Sequence, residues 1–374
     1  PQGRQITLTV AVLPANTLSP RPDPLFILAG GPGQAATYLA PFATQLTGVR
    51  KDRDIVLVDP RGTGRSSPLT CAAFAPDESF DSALDLDPVP RAAACAKELS
   101  TQGVDAAQYT TAAWVEDLDA VRAALGYAKV NLWGGSYGTR VALEYLRRHS
   151  GHVRSIVLDG VAPPSMIVSL DVWPARERAL DAILDRCATV ATCRAAHPDL
   201  AATLRSIRIN LGSRGRDIEV TDPRTGDARK MRLTFDHVIA ALQPLTYSPE
   251  LAALMPEVIS GAAAGDYGPM FATAQLVTGS LTEQLNVALH YSVTCTEDVP
   301  RASAEMRQAV AGIRSKALAE RLFAVCDVWP HGAAPADAAT PVASDVPVLI
   351  LSGAVDPVTP PANGELVAKT LTRS

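Results

Sequence analysis

Lys129-Val130-Asn131-Leu132-Trp133-Gly134-Gly135-Ser136-Tyr137-Gly138-Thr139-Arg140 is the stretch that decides the architecture. Residues 129–133 are a short apolar run bounded by turn residues, the mark of a buried strand, and a helical pattern runs from Tyr137 to about residue 148. Ser136 stands between the two. The chain must turn there so sharply that a Cβ on either flanking glycine collides with neighbouring backbone. Such a turn pushes the Ser136 hydroxyl out above the sheet. The helix that starts behind it aims unpaired N–H groups and its positive dipole end at the place where an oxyanion develops. G-x-S-x-G between a strand and a helix is the setting of a nucleophilic serine. A plain glycine-rich turn competes with that reading for the bare pattern, and the flanking elements weigh against it.

Outward from this unit, apolar runs at residues 6–13, 25–28, 54–58 and 155–158 read as further buried strands, and residues 112–125 carry apolar positions at helical spacing. Strand and helix alternating in this way predict an α/β chain with a doubly wound, mostly parallel sheet. Past Asp159 the rhythm changes to an Ala-, Leu- and Arg-rich helical pattern broken by Pro163-Pro164, Pro244, Pro249 and Pro300, and it lasts to about residue 340. This reads as a large inserted helical lid. A last strand is expected at 346–351, followed by Ser352-Gly353-Ala354-Val355-Asp356-Pro357 and a short helical segment. The expected division is therefore residues 1–162 for the first part of the core, 163–340 for the lid, with 332–342 as a linker, and 341–374 for the second part of the core, ending before a final strand.

A glycine-rich loop, Ala29-Gly30-Gly31-Pro32-Gly33, follows the strand at 25–28 and can bend its amides toward Ser136. The N–H groups of Gly31 and Tyr137 are the expected oxyanion hole. A tight turn is the plainer alternative for this loop, while a phosphate cradle is not supported, since no Gly-Lys-Ser/Thr and no G-x-G-x-x-G is present. Asp356, just past the late strand, stands where this architecture supplies the acid that orients a histidine, and the chain order Ser, Asp, His is that of α/β-hydrolases. An Asp-Pro turn is the competing reading. No histidine follows Asp356. His149 and His152 lie 13 and 16 residues beyond the nucleophile, roughly 20 Å along its helix, out of reach as a base. His331 reverses the order of acid and base, and His197, His237 and His290 fall in the lid, where solvated or structural roles are expected. The base is therefore expected beyond Ser374.

Net charge is −5 with no basic stripe, so nothing here neutralises phosphates and nucleic acid is not an expected partner. No uncharged apolar stretch is long enough to span a bilayer, and the protein reads as soluble. Six cysteines fall in three neighbouring couples without metal or redox spacing, which predicts disulfides Cys71–Cys95, Cys187–Cys193 and Cys295–Cys326. Six free thiols in a cytosolic protein are the alternative. Disulfides imply a secreted or periplasmic location, with any signal peptide already removed from a chain that opens at Pro1.

The chain resembles the secreted tripeptidyl aminopeptidase and prolyl aminopeptidase group of α/β-hydrolases over nearly its whole length. Residues 6–15 are similar to that group's entry strand, Gly30-Gly31-Pro32-Gly33 to its oxyanion loop, and Asp59-Pro60-Arg61-Gly62-Thr63-Gly64-Arg65-Ser66 to its strand-four turn. Thr110-Thr111, Asp117-Leu118-Asp119 and Gly134-Gly135-Ser136-Tyr137-Gly138-Thr139 continue the likeness. Ala29 departs from it, standing where the group has a histidine, and so does the absent catalytic histidine. The resemblance implies the α/β-hydrolase fold under a helical lid, whose carboxylates hold the free α-amino group of a peptide. Cys295-Thr296-Glu297-Asp298 is the similar segment here, which makes Glu297 and Asp298 the implied ammonium clamp.

The expected chemistry is a serine hydrolase of the aminopeptidase kind, with Ser136 attacking a peptide or small amide and water releasing the acyl group. No metal or organic cofactor is implied. Two alternatives stay open: a carboxylesterase using the same machinery, and a non-catalytic binder that has lost its base.

Overall fold

The computed structural model describes residues 4–75, 85–222, 225–282 and 284–374. Its main sheet runs β1 (Val10–Leu13), β3 (Ile55–Val58), β2 (Leu25–Leu28), β4 (Val130–Gly135), β5 (Val153–Asp159), β8 (Val348–Leu351). β1 pairs antiparallel with β3 and every other pairing is parallel, the mostly parallel sheet expected from the sequence. Leu25-Phe26-Ile27-Leu28 and Ile55-Val56-Leu57-Val58 contain no polar residue because both faces of these inner strands are covered. Leu25, Ile27, Ile55 and Leu57 pack on one face with Ala36 and Ala43, and Phe26, Leu28, Val56 and Val58 join the larger core on the other. Each such side chain contributes about 1.5–3 kcal/mol relative to exposure.

The first strand is shorter than the apolar run at 6–13. The N–H groups of Thr7 and Thr9 donate to the Ser67 and Ser66 hydroxyls, so side chains replace ladder partners before Val10. Helix α1 (Thr111–Ala124) is capped by Thr110, whose Oγ1 accepts from the Ala113 N–H at 3.2 Å. Helix α2 (Tyr137–His149) is buried from Tyr137 through Leu146 and so forms the centre of the core.

The chain between β5 and β8 opens with α3 (Val168–Thr189) and stays largely helical through a last helix at Lys316–Val325. It also contains an antiparallel hairpin, β6 (Arg216–Thr221) with β7 (Ala228–Leu233), where the sequence predicts no sheet. Ile218 and Val220 on one strand and Met231 and Leu233 on the other alternate with charged or polar residues and turn toward the core, a short period-2 signal inside a stretch that otherwise reads as helical. The larger hydrophobic core is continuous from the sheet into this insertion. All three disulfides join the neighbouring couples: Cys71–Cys95, Cys187–Cys193 and Cys295–Cys326. No described helix is long and apolar enough to cross a membrane.

Candidate active site

Strand register places the site. Leu28 lies opposite Gly134, Gly135 opposite Asp159, and Asp159 opposite Leu351. The segments leaving β2, β4, β5 and β8 therefore meet at one carboxyl edge of the sheet, the edge where open α/β sheets bind ligands.

Ser136 has φ 53° and ψ −122°, a conformation that costs a non-glycine residue about 1–3 kcal/mol. Its N–H donates to the Asp159 carbonyl at 2.8 Å, and its carbonyl accepts from the Thr139 N–H and Oγ1 at 2.9 and 2.6 Å. A Cβ on Gly134 would strike the Gly138 carbonyl, and one on Gly138 would strike the Leu28 carbonyl. These are the collisions that the flanking glycines avoid. A Cβ on Gly30 would lie 3.2 Å from that of Ser136, so the glycine-rich loop rests directly against the nucleophile. Gly31 adopts φ +112°. Tyr137 opens α2, which leaves its N–H without an intrahelical acceptor.

Asp356 lies on the same edge, held by its own turn. Oδ1 accepts from the N–H groups of Val358 and Thr359 at 2.8 and 2.7 Å, and Oδ2 from the Thr359 hydroxyl at 2.9 Å. A Cβ on Gly160 would come within 2.9 Å of that hydroxyl, so glycine lets this turn close on the end of β5. Asp159 is a second carboxylate at the edge that sequence reasoning missed. Burial pushes its carboxyl up and the Asp356 charge adds to this, against a hydrogen bond from the Trp133 side chain. Its position as the last residue of a strand beside the nucleophile's strand was the available signal.

The histidines divide clearly. His149 and His152 stack at 5.9 Å and face Asp119, and His152 Nδ1 lies 2.9 Å from its carboxylate. These three form a group with metal-like spacing, but Arg122 and Tyr145 already bond the Asp119 carboxylate. His197 bonds Ser260, His237 caps a helix with Thr234, and His331 bonds the Trp329 carbonyl. His290, expected to be solvated or structural, bonds the Pro32 carbonyl through Nδ1 at 3.3 Å and also lines the cavity over Ser136. Burial pushes this imidazole down, against the Pro32 hydrogen bond and the Asp298 charge, with the Arg176 charge adding to the shift.

Glu297 and Asp298 are not brought to the cavity, contrary to what the resemblance implies. Both lie in a π-helical turn, Thr294–Asp298, and are buried. Glu297 accepts from the Thr111 N–H and hydroxyl at 2.6 and 2.7 Å, and that hydroxyl also meets the Tyr137 phenol at 2.6 Å. Asp298 pairs with Arg140 at 2.8 Å and Arg301 at 3.0 Å and accepts from the Val168 N–H at 3.0 Å. A buried carboxylate must satisfy its lone pairs, and here the protein does so internally. Glu297 thus braces the side chain of the residue after the nucleophile, and Asp298 ties α2 to the start of α3.

A cavity of about 1320 Å³ lies between the sheet edge and the lid, lined by Gly30, Gly31, Ser136, Asp159 and the 353–359 turn on one side and by α3 on the other. Among its described lining residues the carboxylates are Asp159 and Asp356, and Arg176 and Arg186 face them from the lid. Arg61 anchors the neighbouring turn by a two-pronged pair with Asp117, both bonds 2.7 Å, so the Asp59–Ser66 motif is scaffolding beside the site.

The family model described as alpha/beta hydrolase fold matches residues 23–230, and one described as TAP-like protein matches residues 313–374. The chain is 35% identical to a tripeptidyl aminopeptidase of Streptomyces lividans over 182 residues, 44% of this chain and 33% of that relative. It is 32% identical to a probable proline iminopeptidase of Streptomyces coelicolor over 152 residues, 39% of this chain and 35% of the relative. It is also 30% identical to serine protease Hip1 of Mycobacterium tuberculosis over 178 residues, 44% and 34% of the two chains. The match thus spans about a third of each relative's length. With a mostly parallel sheet and a strained serine at its carboxyl edge, and with more than half of its length matched by the family model, this chain belongs to the α/β-hydrolase fold family.

Proposed function

We propose that this chain carries the catalytic core of a serine exopeptidase that cleaves peptide or aminoacyl amide bonds near a free N-terminus. The observation that carries the reading is the strained Ser136 at the floor of a lidded cavity, with Gly31 and Tyr137 beside it and Asp356 on the same edge. Ser136 Oγ attacks the carbonyl, the Gly31 and Tyr137 amides receive the oxyanion, and water then releases the acyl group. The base is a histidine oriented by Asp356. The cavity exceeds the ~300–1,000 Å³ usual for drug-sized ligands and suits an extended substrate. Its acidic lining residue beside the nucleophile, Asp159, is the group offered to a substrate ammonium. The names of the relatives, tripeptidyl aminopeptidase and proline iminopeptidase, point the same way. The three disulfides support an extracytoplasmic location.

The engagement of Glu297 and Asp298 inside the protein favours a second reading, a carboxylesterase of the same fold. Both readings require fluorophosphonate labelling at Ser136 in the full-length protein and loss of all turnover in Ser136→Ala. A panel of free and N-blocked aminoacyl and tripeptidyl amides with simple esters separates them. Turnover confined to free-amine amides supports the peptidase, and turnover of esters alone overturns it.

A further inference from the structure

The cavity is polarised. Asp159 and Asp356 line the sheet side, and the opposite wall, built by α3, presents Arg176 and Arg186. Arg186 is exposed, whereas Arg176 is partly enclosed. Arg314, on the far side of the same helix, pairs with Glu177 and Asp181 at 2.5 and 2.6 Å. Arg176 has no ion-pair partner among the described residues. One Nη donates to Gln243 Oε1 at 3.2 Å, the other reaches the Tyr247 hydroxyl at 3.5 Å, and the Nε is sealed from solvent with no acceptor. The guanidinium lies 5.1 Å from the centroid of the Trp173 ring, a cation–π contact within α3. Its neighbour His290 adds no negative charge.

A guanidinium partly withdrawn from water is stabilised by an anion or a full set of hydrogen bonds, and among the described residues this one has neither. Two neutral contacts leave most of its five donors unused, and their planar fork matches a carboxylate. The geometry points to Arg176 as a recognition site for a carboxylate carried by the substrate, either the C-terminal carboxylate of a short peptide or an acidic side chain. This rests on the reading of the cavity as a peptidase site. Substrates would then lie across the cavity with their amino end toward Asp159 and a negative group at α3, a field that rejects the reverse orientation.

The test measures binding apart from turnover. Full-length protein with Ser136→Ala is titrated by calorimetry with four peptides: tetra-alanine as free acid and as C-terminal amide, and Ala-Ala-Ala-Glu and Ala-Ala-Ala-Gln, both as amides. The free acid or the Glu peptide is expected to bind about tenfold or more tightly than its neutral match, and which pair responds identifies the source of the carboxylate. Adding Arg176→Gln brings that ratio to within twofold while the neutral peptides bind as before, and Arg186→Gln leaves the ratio intact. Equal binding within both pairs, or a preference that survives Arg176→Gln, overturns the inference. Acid preference without Ser136 labelling or turnover in the unmutated protein overturns the peptidase reading and leaves the carboxylate site standing. Labelling and turnover without acid preference remove the carboxylate site alone.

Discussion

Thr359 bonds both oxygens of Asp356, its N–H reaching Oδ1 at 2.7 Å and its hydroxyl reaching Oδ2 at 2.9 Å. The carboxylate plane is thereby set by a residue three positions further along the same turn. Thr359→Val keeps the shape of this buried side chain and removes one bond to a charged acceptor, worth about 1.5–3 kcal/mol. The expected result is a fall in kcat of about tenfold or more with little change in KM. An unchanged kcat would show that Asp356 does not act through this orientation.

Gly31→Ala places a Cβ 2.5 Å from the Gly33 nitrogen and 3.1 Å from that of Gln34, in a backbone with φ +112°. The loop must shift and carry its N–H away from Ser136. Loss of one oxyanion donor typically costs about a hundred- to a thousand-fold in kcat. The measurement is kcat beside a circular dichroism melt, and a variant that folds normally with near-native kcat removes Gly31 from the oxyanion role.

Glu297→Gln separates bracing from ammonium binding. Burial pushes the Glu297 carboxyl up, opposed by the Thr111 bonds and the Arg140 charge, so a neutral amide is a close substitute. The ratio of kcat/KM for free-amine over N-blocked substrates should stay within about twofold of the parent. A collapse of that ratio would restore Glu297 as a substrate ligand.

Asp159 gives the opposite expectation. Its raised carboxyl takes up a proton at a higher pH than an ordinary aspartate, so ammonium binding is present above that pH and is lost as pH falls through it. KM for free-amine substrates should rise on the acid side, earlier than an unperturbed aspartate dictates, and Asp159→Asn should raise KM above that pH, match the parent below it and so flatten the profile. A KM profile unchanged in Asp159→Asn rules out its contact with the substrate.

Acid stability should depend on Asp119, whose carboxyl is held well below the usual range by bonds from Arg122, Tyr145 and His152 against the opposing effect of burial. A lowered carboxylate stabilises the fold above the unfolded value near 3.9, and that contribution is lost as pH falls below about 4 toward the folded value. Asp119→Asn should cost about 1–3 kcal/mol at pH 7 in denaturant titrations, since Arg122 loses its partner, and should make the fall in stability below pH 4 shallower. Equal slopes for parent and variant would place the acid lability elsewhere.

The sequence by itself determined the sheet, the sharp turn at Ser136 and the disulfide couples, because each is written in local terms. Continuous apolar runs specify buried strands, and two glycines around Ser136 specify a turn that no other residue fits. Only the tertiary structure decided what faces the cavity. Glu297, Asp298, Asp159, Arg176 and His290 are all polar residues, and nothing local says which way each side chain is turned. Glu297 turned inward because Thr111, 186 positions earlier, offers it two donors, and Asp298 because Arg140 waits 158 positions away. Arg176 meets no such partner among the described residues and stays on the cavity wall. Polar satisfaction is a pairing problem across long sequence separations, and folding solves it only when the partners arrive together.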